Sequence, residues 1–374
     1  MKTKPRLLRS LGAVAMASAL LIAAAACGAD GGTATNEPGS STSKDAKEPQ
    51  KDVVRVGIGP FISYAGVWVA SERGYFEQAD LDVKLTSYAD GSLIVPPLIS
   101  GDLDVGGLTL GAGTFNSMAK GAPFKFTMPG AQEKEGTGSV AINVSKALAD
   151  SGIKSIADLA MLKGKKIGIT APGSINQYTM GLALQQAGLD PRKDVEWVVG
   201  IPQPDLVKAF GQGQVDATNL AVQFSQAAEQ QGFGPVVVRG YEAAPLAMIN
   251  AWAMRDEFVK ENRDVAIRFA MAYMQGVRDY NEALEDPDAH PEILPMLAKN
   301  TTLDSPDKLT SLHPWWPWID PSGALDVAAI LDQQDYWADY FDVVETKVAE
   351  EDLVDLSVIK EALEKLTNDN PFTT

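Results

Sequence analysis

Between residues 54 and 221 the chain writes one pattern twice, and this repetition limits its fold more than any other feature. The first copy runs from a strand-like Val54–Pro60 through a helix-like Ile62–Ala79, a second strand Leu81–Tyr88, a helix Ser92–Gly101 and a third strand Asp104–Leu110. The second copy runs from Lys166–Thr170 through a helix Ser174–Ala187, a strand Asp194–Val199, a helix Gln203–Gln212 and a strand Val215–Leu220. Gly57 to Val83 spans about the same distance as Gly168 to Val195, and both copies place Gly-x-x-Asp before the third strand, as Gly101–Asp104 and Gly213–Asp216. Strands alternating with helices at this spacing predict an α/β fold with parallel sheets. Two such units predict two lobes, and ligands in open α/β sheets gather at the carboxyl ends of the strands. A cleft between the lobes is therefore the expected site.

The remaining segments extend this plan. Lys125–Val144 and Pro235–Met254 read as crossings between lobes. The expected division is a first lobe over 53–130, a second lobe with the crossings over 131–240, and a return to the first lobe with C-terminal helices over 241–374. Glu257–Leu284 carries an apolar stripe at helical spacing and predicts one long amphipathic helix. Two further helices, Ala324–Phe341 and Leu356–Leu366, are expected to pack on the first lobe.

Residues 1–26 combine a basic start with an apolar stretch, Leu11–Ala26, too short for a membrane span, and read as a secretory signal. Cys27, the only cysteine, follows Ala24-Ala25-Ala26. This resembles the lipobox of bacterial lipoproteins, with Ala24 in place of the usual leucine, and implies lipidation of Cys27. The other reading is an ordinary signal peptide with a lone thiol. Residues 27–52 hold no large apolar side chain and read as a flexible tether. The expectation is an extracytoplasmic body, held to the membrane only by a lipid anchor.

The net charge of −17 becomes −21 without the four cations of residues 1–26. Nucleic acid and anionic membrane surfaces are thereby disfavoured as partners. The two histidines, His290 and His313, have no companion at metal-ligand spacing. No Gly-x-Ser-x-Gly elbow occurs, and Lys163–Gly168 precedes its strand and lacks the Gly-Lys-Ser/Thr of a phosphate loop. Nothing calls for a cofactor or a catalytic centre, and the chain reads as a binding protein, a monomer.

Gly74–Phe76, Leu98–Gly107, Ser155–Ile169, Ala171–Ser174 and Gly211–Ala217 stand in an order and spacing that resemble the solute-binding proteins of ABC importers for nitrate, sulfonates, taurine and thiamine-precursor pyrimidines. The resemblance implies a two-lobed type II periplasmic-binding-protein fold, a small-molecule solute, and a permease with a cytoplasmic ATPase as partners. It implies ligand contacts within Phe61–Tyr64, Thr109–Gly111, Gly173–Gln177 and Asn219–Gln223. Tyr64 replaces a histidine of the pyrimidine-binding branch. The histidine and cysteine-rich motif of its synthase members are absent, which removes that enzyme reading.

The candidate ligand-binding residues are Ser63, Tyr64, Thr109, Leu110, Gly111, Gly173, Ser174, Ile175, Asn176, Gln177, Asn219 and Gln223. Ser174 and Gln177 form a Ser-x-x-Gln capping box in which Gln177 is expected to reach back to the Ser174 N–H, leaving the helix-start backbone to meet a ligand. Trp68, Trp252 and Trp315-Trp316-Pro317-Trp318 read as packing; the last also suits an aromatic box. With no Lys or Arg at the matched positions, the expected solute is a small organic anion, a sulfonate or aromatic carboxylate, held by amides and helix ends. A pyrimidine-like heterocycle is the alternative, and a surface sensor without transport is a reading of another class.

Overall fold

A computed structural model describes residues 51–372. The signal sequence, Cys27 and the tether lie outside the described residues, apart from Lys51 and Asp52; Asp52 already belongs to the first strand. The strands are β1 (Asp52–Ile58), β2 (Leu81–Ser87), β3 (Val105–Thr109), β4 (Phe124–Pro129), β5 (Ala131–Gln132) and β6 (Val140–Val144). They continue as β7 (Lys166–Gly168), β8 (Glu196–Val198), β9 (Ala217–Ala221), β10 (Val236–Arg239), β11 (Asn250–Arg255) and β12 (Trp318–Ile319).

Two five-stranded sheets result, in the orders β2-β1-β3-β11-β4 and β8-β7-β9-β6-β10. In each, the first three strands of the repeat run parallel, and an antiparallel strand from a crossing segment pairs with the third. The chain passes between sheets twice, from β4 to β6 and from β10 to β11.

The repeated residues do the same work in both sheets. The Asp104 carboxylate accepts from the Arg55 N–H at 2.9 Å, and that of Asp216 accepts from the Lys166 N–H at 2.9 Å. Each aspartate returns its own N–H to the same strand residue at 2.8 Å. Two residues further along that strand, a Cβ on Gly57 would come within 2.6 Å of Ile94 and Leu103, and one on Gly168 within 2.5 Å of Leu206. The glycine thus admits the helix that follows the second strand, and the aspartate closes the turn beneath it. Gly101 and Gly213 start these turns at φ +84° and +71°, a left-handed backbone that favours glycine.

The long apolar stripe forms two helices, Asp256–Glu261 and Arg263–Glu285, separated at Asn262 (φ −125°, ψ 42°). The sequence expectation of one helix is corrected here; the stripe continues through a residue whose backbone leaves the helical region. Arg263–Glu285 packs on the helix Ala65–Glu72 so closely that a Cβ on Gly276 would fall 2.3 Å from the Gly66 carbonyl oxygen. Tyr273 and Tyr280, fully buried on it, donate to the carbonyls of Pro129 and Pro317. Within the tryptophan run, Trp316 is fully buried and stacks near Tyr280, while Trp315 lies under the Arg239 guanidinium at 3.9 Å.

A second correction concerns the segment Ala324–Phe341. It forms a helix, Val327–Asp335, and then a wider turn, Tyr336–Tyr340. It does not pack on the first sheet's side alone: Tyr336 and Trp337 meet Tyr178 of the second, and a Cβ on Gly181 would strike the Tyr336 hydroxyl.

Asp104 is buried and accepts from the Arg55 N–H and guanidinium, Asp216 is half-buried and accepts from the Lys166 N–H, and loss of either carboxylate leaves a strand N–H unpaired. Asp104→Ala is expected to lower the unfolding free energy by about 1–3 kcal/mol and Asp216→Ala by about 0.5–1.5 kcal/mol. Chemical denaturation checks this, and a loss at only one of the two positions would contradict the equivalence of the repeats.

Candidate ligand-binding site

The carboxyl ends of both sheets face one another across a cleft. Its inner chamber is lined from the first sheet by the turn Phe61–Tyr64 after β1, Asp90 and Gly91 after β2, Thr109 at the end of β3, and Ile249 and Asn250 at the start of β11. From the second it is lined by Ser139 and Val140 at the start of β6, Ile175 and Asn176 after β7, Gln203 after β8, and Ala221 and Gln223 after β9. Pro317 completes it. The space a water centre can occupy is about 50 Å³. At ~10–15 Å³ per water this holds roughly four water-sized groups.

Six of the twelve candidate residues line this chamber: Ser63, Tyr64, Thr109, Ile175, Asn176 and Gln223. Tyr64 is only 2 % exposed; its hydroxyl donates to the Gly107 carbonyl at 3.0 Å and its ring meets Trp252 edge-on. It presents part of a ring and no free hydroxyl proton. Asn176 is 4 % exposed, and its Nδ2 has no protein partner; the same holds for the Ser139 hydroxyl. Gln223 donates to Thr302 at 3.4 Å across the cleft.

The other six lie away from the chamber. Leu110 is fully buried in the core. Gly111 and Gly173 face each other, and the N–H of Ala112 donates to the Gly173 carbonyl at 2.9 Å. The loop before the helix Ile175–Gln186 is thus covered by the first sheet's own loop, while the first two residues of the helix, Ile175 and Asn176, line the chamber. Ser174 caps the helix by accepting from the Gln177 N–H at 3.4 Å, but the Gln177 side chain accepts from the Gly173 N–H at 2.7 Å, not from Ser174. Gly173, at φ +71°, turns its N–H toward Gln177. Asn219 is fully buried and donates to the Asn176 carbonyl at 2.9 Å and to Thr179. It positions the first helical turn that carries Asn176.

Asp90, Ser139, Gln203 and Asn250 were not among the candidates. Asp90 caps the turn Gly91–Ile94 by accepting from the Ser92 N–H at 2.8 Å, so the Asp-Gly-Ser sequence is a legible cap signal without being a site signal. Asn250 accepts from Ala131 and donates to Ser63, joining the crossing strand to the turn after β1. The lining therefore carries one carboxylate, several amides and hydroxyls, and no Lys or Arg.

Behind Ser139 lies a fully buried carboxyl group, Glu133, between the crossing segments. One oxygen accepts from the N–H groups of Ser139 at 3.0 Å and Val140 at 3.1 Å, while the other has no hydrogen-bond partner. Burial pushes its pKa up from 4.5 to about 7, against the lowering effect of these N–H groups, that of Tyr241, and the charge of Arg239. The folded protein then holds a proton that the unfolded chain releases. The stability this confers is complete below pH 4.5 and is lost as pH rises through 7. Glu133→Gln is expected to flatten that fall and to gain up to about 3 kcal/mol over the parent at pH 8, measured by denaturation at several pH values. Superimposable pH profiles would contradict it.

The fold and cleft have counterparts among known proteins. Residues 47–298 match the family model described as the NMT1-like family. YtlA of Bacillus subtilis, named as a binding protein, is 22 % identical over 274 residues, 68 % of this chain and 77 % of its own. The aliphatic sulphonate binding protein SsuA of Escherichia coli superposes with a TM-score of 0.63 at 21 % identity, covering 81 % of this chain and 92 % of SsuA. The nitrate-binding protein NrtA of Synechocystis gives 0.67 at 15 % identity, over 87 % and 91 % of the two chains. The desulfurization enzyme DSZB gives 0.58 at 16 % identity, over 84 % and 99 %, so the architecture is not confined to binding proteins. With two mixed α/β sheets facing a common cleft, the chain has the two-lobed periplasmic-binding-protein fold, and with more than half its length matched it belongs to the NMT1-like family.

Proposed function

We propose that the protein is the extracytoplasmic solute-binding component of an ABC importer and that it captures a small neutral heterocycle, delivering it to a permease driven by a cytoplasmic ATPase. The names of YtlA, SsuA and NrtA support solute binding. Among the described residues no helix is long and apolar enough to cross a membrane, so attachment in this reading rests on the lipid anchor at Cys27. The two lobes, divided near residues 130 and 240, close on the solute by movement about the crossings.

One observation supports one solute class over the other. The chamber holds the Asp90 carboxylate and no cation. An organic anion would meet a like charge with only amides and hydroxyls to offset it. A heterocycle with both donors and acceptors suits the same lining: Asp90 and the amide oxygens take its N–H groups, and Asn176 Nδ2 with the Ser139 hydroxyl meet a ring nitrogen or carbonyl. The geometry therefore favours the heterocyclic class over the organic anion expected from the sequence. The lining has no histidine or cysteine and no nucleophile paired with a base, which supports binding over catalysis.

The test is thermal unfolding against 4-amino-5-hydroxymethyl-2-methylpyrimidine, taurine, an alkanesulfonate, nitrate and benzoate. A ligand at a hundred times its Kd adds about 2.7 kcal/mol, a shift of several degrees. The aminopyrimidine is expected to give that shift, and Asn176→Ala to abolish it. A shift from an anion with the aminopyrimidine silent would overturn the choice of class.

A further inference from the structure

The inner chamber is not the whole of the cleft. Beside it lies a wider space of about 410 Å³ that shares Phe61, Asp90 and Gln203 with it. Its walls are mostly apolar. Leu93 comes from the turn after β2, Ala171 from the loop after β7, Pro202 and Pro204 from the start of the helix after β8, and Phe224 from the helix after β9. Leu93 is 53 % exposed and stands at the rim of this space. A mostly apolar recess beside a largely buried chamber that holds unpartnered polar groups is the form expected where a single molecule has a polar end and an apolar end.

We propose that this recess is a subsite for a ring-sized apolar substituent on the solute whose polar head sits between Asp90, Ser139 and Asn176. The inference rests on the heterocycle reading above and extends it from a bare ring to a two-part molecule. The three lining residues common to both spaces, Phe61, Asp90 and Gln203, make them neighbours within reach of one solute. The unpartnered Asn176 Nδ2 and Ser139 hydroxyl, both on side chains 4 % exposed, fix which end is polar. Nitrate or an unsubstituted ring would leave the recess unused.

The head and the recess can be probed separately in the purified full chain with isotope-labelled methyl groups. Indole, an apolar ring without the head, is expected to shift the methyls of Leu93 and Ala171 saturably and to leave Val140 and Ile175 unmoved. Leu93→Glu, at an exposed rim position that should not disturb folding, should remove those shifts. 4-Aminopyrimidine should move Val140 and Ile175 instead, and 4-amino-5-benzylpyrimidine should bind at least about tenfold more tightly than 4-aminopyrimidine, a gain lost in Leu93→Glu. No saturable shift at Leu93 and Ala171, or indole entering the inner chamber, would overturn the subsite. Equal affinity of the two pyrimidines would overturn it as well. Silence of 4-aminopyrimidine beside a saturable indole response would instead overturn the heterocyclic head and leave the apolar subsite standing.

Discussion

Each sheet depends on one carboxylate and one missing side chain. Asp104 and Asp216 tie the turn before the third strand to the first strand, while Gly57 and Gly168 let the intervening helix descend onto that strand. Without the glycine, the helix would have to lift off the sheet. Without the aspartate, the turn that delivers the third strand would lose its anchor. Because the aspartates sit at the amino ends of the third strands, they leave the carboxyl ends of those strands free to carry loops of unrelated sequence. The two lobes can therefore share a frame and present different chemistry to the cleft.

That difference makes the chamber what it is. The first lobe contributes an aromatic turn, the hydroxyls of Ser63 and Thr109 and a carboxylate, and the second contributes the amides of Asn176, Gln203 and Gln223. The crossings add residues from neither repeat: Ser139 and Asn250 come from strands that link the lobes. Glu133 supports Ser139 and Val140 from behind, so the chamber wall and the hinge region are one structure. A solute touching Ser139 would thereby touch the part of the chain that moves when the lobes separate.

The fold was legible because its signals are local: alternating strand and helix patterns, and a Gly-x-x-Asp repeated at matching positions. The site was only half legible. Residues on the turn after β1, Ser63 and Tyr64, reach the chamber because the strand end places them there. Gly173 and Ser174 do not, because Ala112 of the other lobe occupies that ground, a contact between residues some sixty positions apart that no local pattern encodes. Asp90 caps the turn after β2; that it also faces the chamber follows only from how the lobes meet. Asn219 was legible as important but not in its role, which is to hold the helix carrying Asn176. The break at Asn262 was hidden because neither glycine nor proline marks it.

The central claim is that a solute is held between lobes that open and close, and the hydrogen bond from the Ala112 N–H to the Gly173 carbonyl spans the closing surface. Amide hydrogen exchange at Ala112 tests this most directly, compared with Ile142 and Asn143 inside the second sheet. The account predicts that Ala112 exchanges faster than those sheet amides in the free protein and slows when a solute that raises the Tm is bound. Equal exchange at Ala112 with and without that solute would contradict closure of the lobes around it.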